Sequence, residues 1–264
     1  MLRNSQHIED FISEFNVRAL FHHQDGGLDH LSIACEATGT ARIGHHWSHY
    51  PWPAAYIARM HQVYFAWGSH YAGMIQAEGP CVEHLLMSGC TIQGARTGEV
   101  LPQLLELRSS LSTQGASRIL TLFDTSLPAE GFYEFFLQKV IEDTRWGLLI
   151  KRKNNLPLWE RRNLPELKSL YERGVATGRV HMLEGRLSPI DAAAAADFSV
   201  GVDINSAIIV AALAGHRAIH LDYVRLHASH LSDWAHLYRA GPDRIVFDDP
   251  EKLWQRLNLY FDQP

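Results

Sequence analysis

Residues 197–222, DFSVGVDINSAIIVAALAGHRAIHLD, restrict the fold of this chain more than any other stretch. An apolar run at 198–202 is bounded by Asp197 and Asp203, and a turn signal follows in Asp203-Ile204-Asn205-Ser206. Beyond it Ile208, Ile209, Ala212 and Leu213 recur at helical spacing and Gly215 supplies a stop. A second apolar run, 218–221, is closed by Asp222. Strand, turn, helix, strand is the βαβ unit of a parallel sheet. Asn205 and Ser206 fall at the helix start, where backbone N–H groups lack helical partners and the dipole is positive. A helix that begins just past a strand in such a sheet offers a site for an anion, most often phosphate. The plainer reading makes Asn205 an N-cap and nothing more.

The rest of the chain repeats this architecture. Residues 5–15 suit an amphipathic helix with Ile8, Phe11, Ile12 and Phe15 on one side. Strands are expected at 17–21, 41–44, 63–66 and 84–87, with helices at 28–38 and 69–78 between them. The strand ends run into polar loops rich in His, Trp and Tyr, among them HHQDGG at 22–27 and HHWSHYPWP at 45–53. Glycines and Thr97 at 94–98 suggest a linker, which divides the chain into 1–95 and 96–264. In the second part helices are expected at 98–111, 132–141, 164–172, 190–196 and 250–261. Strands are expected there at 118–123, 147–150 and 179–183, besides the two of the opening unit. The fold class is therefore α/β: two Rossmann-like parallel-sheet halves facing a cleft, the first of them incomplete.

Bulk properties exclude several classes. Hydrophobic residues make up 46% and charged residues 20%, as in a globular protein. A net charge of −5 argues against a nucleic-acid footprint. Sixteen histidines make the protein distinctly more cationic below about pH 6. Cys35, Cys81 and Cys90 show no paired spacing and read as buried thiols of a reducing compartment. No apolar run approaches the roughly 18 residues of a membrane span. The expected location is cytoplasmic, with peripheral contact at the inner face of a membrane left open.

Three stretches carry a family resemblance: TLFDTSLP at 121–128, GLLIKRK at 147–153 and the 197–222 unit. With them the second half resembles the nucleotide-binding domain of GT-B glycosyltransferases, more narrowly the bacterial enzymes that build surface and capsular polysaccharide. IGHHWSHYPWP and VYFAWGSHYAGMI are similar to the end of the acceptor domain in the same proteins. The resemblance spans nearly the whole chain as a pattern of elements. It implies transfer of a sugar from a nucleotide-sugar donor to a glycan or lipid-linked acceptor, with no tightly bound cofactor and no nucleic-acid partner. Two departures accompany it. The family carries more strands ahead of the loop at His22, and its ribose-gripping acid is replaced by apolar residues across 208–213.

The resemblance gives residues roles. Asn205, Ser206 and nearby N–H groups would hold the diphosphate, with Thr125 and Ser126 beside it. Lys151 and Lys153 would neutralise the departing diphosphate from one face of their strand, Arg152 facing away. Their bland readings are a solvated basic strand end and ordinary turn capping. His46, His49 and Asp25 are the candidates for deprotonating an acceptor hydroxyl, each also open to a structural role. His45, His46 and His49 lack a Cys or Glu nearby, so no metal site is assigned, and His227 and His230 read as surface residues. Alternatives on the same fold are polyol-phosphate transfer, nucleotide-sugar epimerisation, or a non-catalytic remnant or partner subunit. Epimerisation would call for more carboxylates in the cleft than the sequence offers.

Overall fold

The computed structural model describes residues 2–22, 30–46, 61–77, 82–90, 101–125, 129–153, 156–202, 205–223, 225 and 241–262. The chain forms two compact units, Met1–Ile92 and Gln93–Pro264.

In the first unit come α1 (Leu2–Glu14), β1 (Ala19–His22), α2 (His30–Thr38), β2 (Ala41–His45), β3 (Val63–Ala66), α3 (Ser69–Ala77) and β4 (His84–Met87). The strands lie in the order β1-β2-β3-β4 and all pairs are parallel. Successive strand residues point to opposite faces. Leu20, Tyr64 and Leu85 share one of them. There Ile12 of α1 and Ala34 and Cys35 of α2 pack with Leu20, and Ile75 of α3 packs with Tyr64 and Leu85. The three described helices of this unit thus occupy one side of its sheet.

The second unit contains α4 (Pro102–Thr113), β5 (Arg118–Phe123), α5 (Glu130–Glu142), β6 (Trp146–Lys151), α6 (Leu158–Arg161), α7 (Pro165–Ala176) and β7 (Val180–Leu183). It continues with α8 (Pro189–Ala194), β8 (Phe198–Val202), α9 (Ser206–Leu213), β9 (Ala218–Leu221), β10 (Val246–Phe247) and α10 (Pro250–Asp262). Its strand order is β10-β9-β8-β5-β6-β7, all parallel. The chain winds outward from β5 one way, returns, and winds out the other way: a doubly wound sheet. Every residue of β5, β6 and β8 is buried, as their near-continuous apolar runs require of strands covered on both faces. Phe132, Phe136, Leu167 and Trp254 lie over Leu122, Leu148 and Val200 on one face. Leu104, Leu111, Ala192 and Ile208 lie over Ile119, Phe123 and Leu149 on the other.

Local chemistry sets the helix ends. The Ser188 side chain accepts the Asp191 N–H, the Asp191 carboxylate accepts that of Ser188, and Pro189 sits in the first turn, a reciprocal cap that satisfies two orphan donors. The Arg179 guanidinium donates to the carbonyls of Val140 at 2.5 Å and Trp146 at 2.9 Å, placing a cation where α5 presents unpaired acceptors. Gly215, at φ +89°, closes α9 in the left-handed region. Two elements depart from the sequence expectation. β10 has two residues and α6 four, both too short for periodicity to register.

His216, just past that glycine, is half-buried, and burial holds its imidazole below the ordinary 6.5. The native state therefore binds fewer protons than the unfolded chain below about pH 6.5. This contribution is neutral above the unfolded pKa and is lost as pH falls from there through the folded one. In urea unfolding monitored by circular dichroism, His216→Gln should lose less stability than the wild type on acidification through that window. Parallel pH curves for the two would disprove the assignment.

Candidate functional site

In the second unit β5 and β8 are neighbours, with Phe123 opposite Gly201. From β5 the chain leads to α5 on one face, and from β8 to α9 on the other. Such divergence opens a crevice at the carboxyl ends of the two strands, where ligands of doubly wound sheets bind. Asp124 and Thr125 stand on one side of it, and Asn205 and Ser206 on the other.

Asn205 is buried and has two tasks. Its Oδ1 accepts the Ala207 N–H at 3.0 Å, capping α9, and its Nδ2 donates to the Phe123 carbonyl at 3.5 Å. The cap therefore also ties the start of α9 to the end of β5. Ser206 is half-buried at the first helical position. Gly201 permits this closeness. A Cβ there would stand 2.3 Å from Ile208 Cγ1 and 3.2 Å from Asn205 Cβ, so the first turn of α9 rests directly on β8. A helix amino terminus with its dipole aimed at this rim, flanked by the buried Thr125, suits an anion.

The lysines behave differently from each other. β6 ends at Lys151, so strand alternation does not extend to Lys153 and does not place the two on one face. The Lys151 ammonium is buried and donates to the Arg152 carbonyl at 2.6 Å and the Gly185 carbonyl at 2.9 Å. Burial pushes its pKa down, the Arg152 charge adds to this, and Asp124 opposes it. Lys151 thus fastens β6 to the segment between β7 and α8. The Lys153 side chain is exposed.

Sequence reasoning passed over the best-organised group at this rim. The Asp124 carboxylate is buried and accepts a short hydrogen bond from the Tyr133 hydroxyl. It also accepts from the Lys153 backbone N–H at 3.3 Å and from Arg161 Nη2 at 3.5 Å. The same Nη2 donates to the Thr125 carbonyl at 3.1 Å, and Arg161 Nε to that of Leu156 at 3.1 Å. Burial, then the Asp124 charge, pushes the Tyr133 phenol well above its ordinary pKa. The network joins the ends of β5 and β6 to α5 and α6 and fixes the backbone at Thr125. Asp124 stands inside TLFDTSLP and was legible as a strand-end acid. Arg161 lies on the short α6, and its partnership had no signal in the sequence.

In the first unit His46 follows β2 and is buried, its ring 4.6 Å from that of Trp67 and 4.2 Å from that of Tyr71. Burial, with a smaller contribution from Cys90, drives the Tyr71 phenol far up. Asp25, His49 and Ser126 lie outside the described residues. Among the described residues no three His, Cys, Asp or Glu side chains gather as a metal would require, and no helix is long and apolar enough to cross a membrane.

No protein-family model matches the chain, and no curated protein matches it in sequence. Solved structures do match. HepE of Anabaena, in complex with UDP and glucose, is 14% identical with a TM-score of 0.62, over 98% of this chain and 72% of that one. A UDP-N-acetylglucosamine 2-epimerase is 14% identical with a TM-score of 0.59, over 99% of this chain and 67% of that one. A glycosyltransferase from Rickettsia africae is 11% identical with a TM-score of 0.60, over 99% of this chain and 71% of that one. The chain spans between 57% and 72% of the lengths of the solved structures it resembles in this way. At such identities the likeness is one of fold, and the fold of this chain is the α/β, parallel-sheet fold of the GT-B proteins.

Proposed function

We propose that the crevice between β5 and β8 binds the diphosphate of a nucleotide-sugar, and that the protein transfers the sugar to a glycan or lipid-linked acceptor of surface polysaccharide synthesis. The start of α9 at the switch point carries the proposal. Its dipole, Ser206 and Thr125 converge on one rim, and HepE, similar in fold, was solved with UDP and glucose. Lys153, exposed near that rim, is the cation best placed to meet the charge of a departing diphosphate, while Lys151 positions the backbone at Gly185. Asp25, His46 and His49 remain the candidates for the acceptor-side base. Enclosure of His46 by Trp67 and Tyr71 makes it the least suited of the three to reach a bulky acceptor.

Epimerisation is the second reading, because a 2-epimerase shares the fold. It needs a carboxylate free to move a proton. Asp124 has both oxygens engaged by Tyr133, Lys153 and Arg161, which favours transfer.

Isothermal titration with UDP, GDP, CDP and CMP tests the binding step. One nucleotide should bind, and silence with all four would remove the proposal. Asn205→Ala should cost about 1 kcal/mol of stability through the lost cap, and a frayed α9 start should weaken the bound nucleotide roughly fivefold. Unchanged affinity in a folded Asn205→Ala protein would move the phosphate site away from α9. Radiolabelled sugar from the binding nucleotide then separates transfer, which yields a new glycan, from epimerisation, which leaves the nucleotide-sugar intact.

A further inference from the structure

In the second unit, the sheet face covered by α10 carries a hollow of about 480 Å³ at the end opposite the crevice. Phe198, Ile219 and Phe247 belong to that face. Arg217 and Ile245, two residues ahead of Ile219 and Phe247, continue it by strand alternation. The ladder reaches that far: the Ser199 N–H donates to the Arg217 carbonyl at 2.9 Å and the His220 N–H to the Ile245 carbonyl at 2.8 Å. The last turns of α10 form the remaining wall, where the Tyr260 hydroxyl donates to the Arg244 carbonyl at 3.4 Å. The hollow therefore lies at the amino ends of β8, β9 and β10, about 13 Å along β8 from its far end at Val202.

Its chemistry is divided. Phe198 and Ile219 make a buried apolar floor, and Ile245 and Tyr260 stand 37% and 40% exposed beside it. Arg217 and Arg244 line the same space. Elsewhere in this unit Arg108, Arg118, Arg145, Arg161, Arg162 and Arg186 each pair with a carboxylate. Arg217 and Arg244 form no ion pair among the described residues, and Asp262, two positions beyond Tyr260, is taken by Arg118. Arg217 has its guanidinium carbon 5.2 Å over the Phe198 ring, and that ring stacks with Tyr260 at 5.4 Å and 18°. The cation–π contact holds one cation at the edge of the apolar floor before any ligand arrives, which lowers the ordering cost of binding.

We infer that this hollow is a second ligand site, separate from the crevice, for a small amphiphilic anion: an apolar body against Phe198, Ile219 and Ile245, and a phosphate or carboxylate met by Arg217 and Arg244. Planar guanidiniums bond such oxyanions through two N–H groups at once. The volume falls within the roughly 300–1,000 Å³ of small-molecule sites, which are mostly apolar with a few placed polar groups. Seven residues line it, against the roughly 20–30 a side of a protein interface, so a polypeptide partner fits it poorly. Inorganic phosphate would leave the floor uncovered, and a neutral apolar molecule would leave both cations without a partner. Only a ligand with both parts uses the whole site.

Isothermal titration of the full chain with naphthyl phosphate, naphthoate, naphthol and inorganic phosphate tests this. At least one of the two naphthyl anions should bind at a single site, about tenfold tighter than naphthol and than phosphate, the factor that one charge-assisted contact is worth. The better of the two names the head group. Arg217→Gln and Arg244→Gln, at exposed positions, should each weaken it about tenfold, and Arg217→Lys less. Asn205→Ala, which reads the crevice, should leave this affinity unchanged. No saturable binding of either naphthyl anion, equal affinity for naphthol, or indifference to both glutamine variants would overturn the inference. Loss of binding in Asn205→Ala would do the same by putting the probe in the crevice, as would arginine-dependent capture by phosphatidylglycerol vesicles with no soluble probe bound. Nucleotide affinity should be unaffected by the arginine variants, so the two sites stand or fall separately.

Discussion

Gly201→Val is expected to abolish nucleotide binding and to lower stability by about 3 kcal/mol, the upper part of the range for overpacking a filled site. The new Cβ would stand 2.3 Å from Ile208 Cγ1 and 3.2 Å from Asn205 Cβ. Neither is the loose end of a long side chain that could swing aside. The strand cannot retreat, because β8 is hydrogen-bonded between β5 and β9 on both edges. The start of α9 must therefore lift away from the sheet, carrying Asn205 from the Phe123 carbonyl and Ser206 from the rim. Urea unfolding and nucleotide titration check the two effects together. Ile208→Ala in the Gly201→Val background should recover part of both losses, since it removes Ile208 Cγ1 and Cδ1, the two nearest atoms. If Gly201→Val binds nucleotide as the wild type does, α9 is not the phosphate site.

Asp124→Ala should be nearly as damaging by a different route. It strips the buried Tyr133 hydroxyl and the Lys153 N–H of their acceptor and deprives Arg161 of its carboxylate. An unsatisfied buried polar group costs about 1–3 kcal/mol. The Arg161 side chain is about a quarter exposed and water takes over part of its pairing, so that contribution is small. A total near 3 kcal/mol is expected in urea unfolding, against about 1 kcal/mol for Tyr133→Phe, which removes a single hydrogen bond. Because both changes break the same bond, the double variant should fall short of the sum by about 1 kcal/mol. Full additivity would show that the Asp124–Tyr133 contact contributes nothing to stability. The backbone at Thr125 is released in the same step, so nucleotide affinity should fall further than in Asn205→Ala.

Much of this could be read from residue order. The runs RILTLF, WGLLIK and FSVGV are apolar throughout, and only strands covered on both faces bury every residue. Asn205 before an apolar helix and Ser188-Pro189 with Asp191 three residues after the serine are helix starts written in side-chain chemistry. These are local signals, carried by neighbours in the chain, and from them the α/β class and the candidate anion site at Ser206 followed directly.

The remainder depended on distance in space. Alternation put Lys151 and Lys153 together only if the strand continued, and β6 stops at Lys151, whose ammonium turns to Gly185, thirty-four residues along the chain. Asp124 meets Arg161 thirty-seven positions away, and the Asn205 amide meets the Phe123 carbonyl eighty-two positions away. Hydrogen-bond donors and faces are matched by the folded backbone, not by sequence neighbours. The order of residues therefore determined which strands and helices form and where each begins, and the tertiary structure alone decided which charges are already paired, as at Lys151, and which stay exposed, as at Lys153.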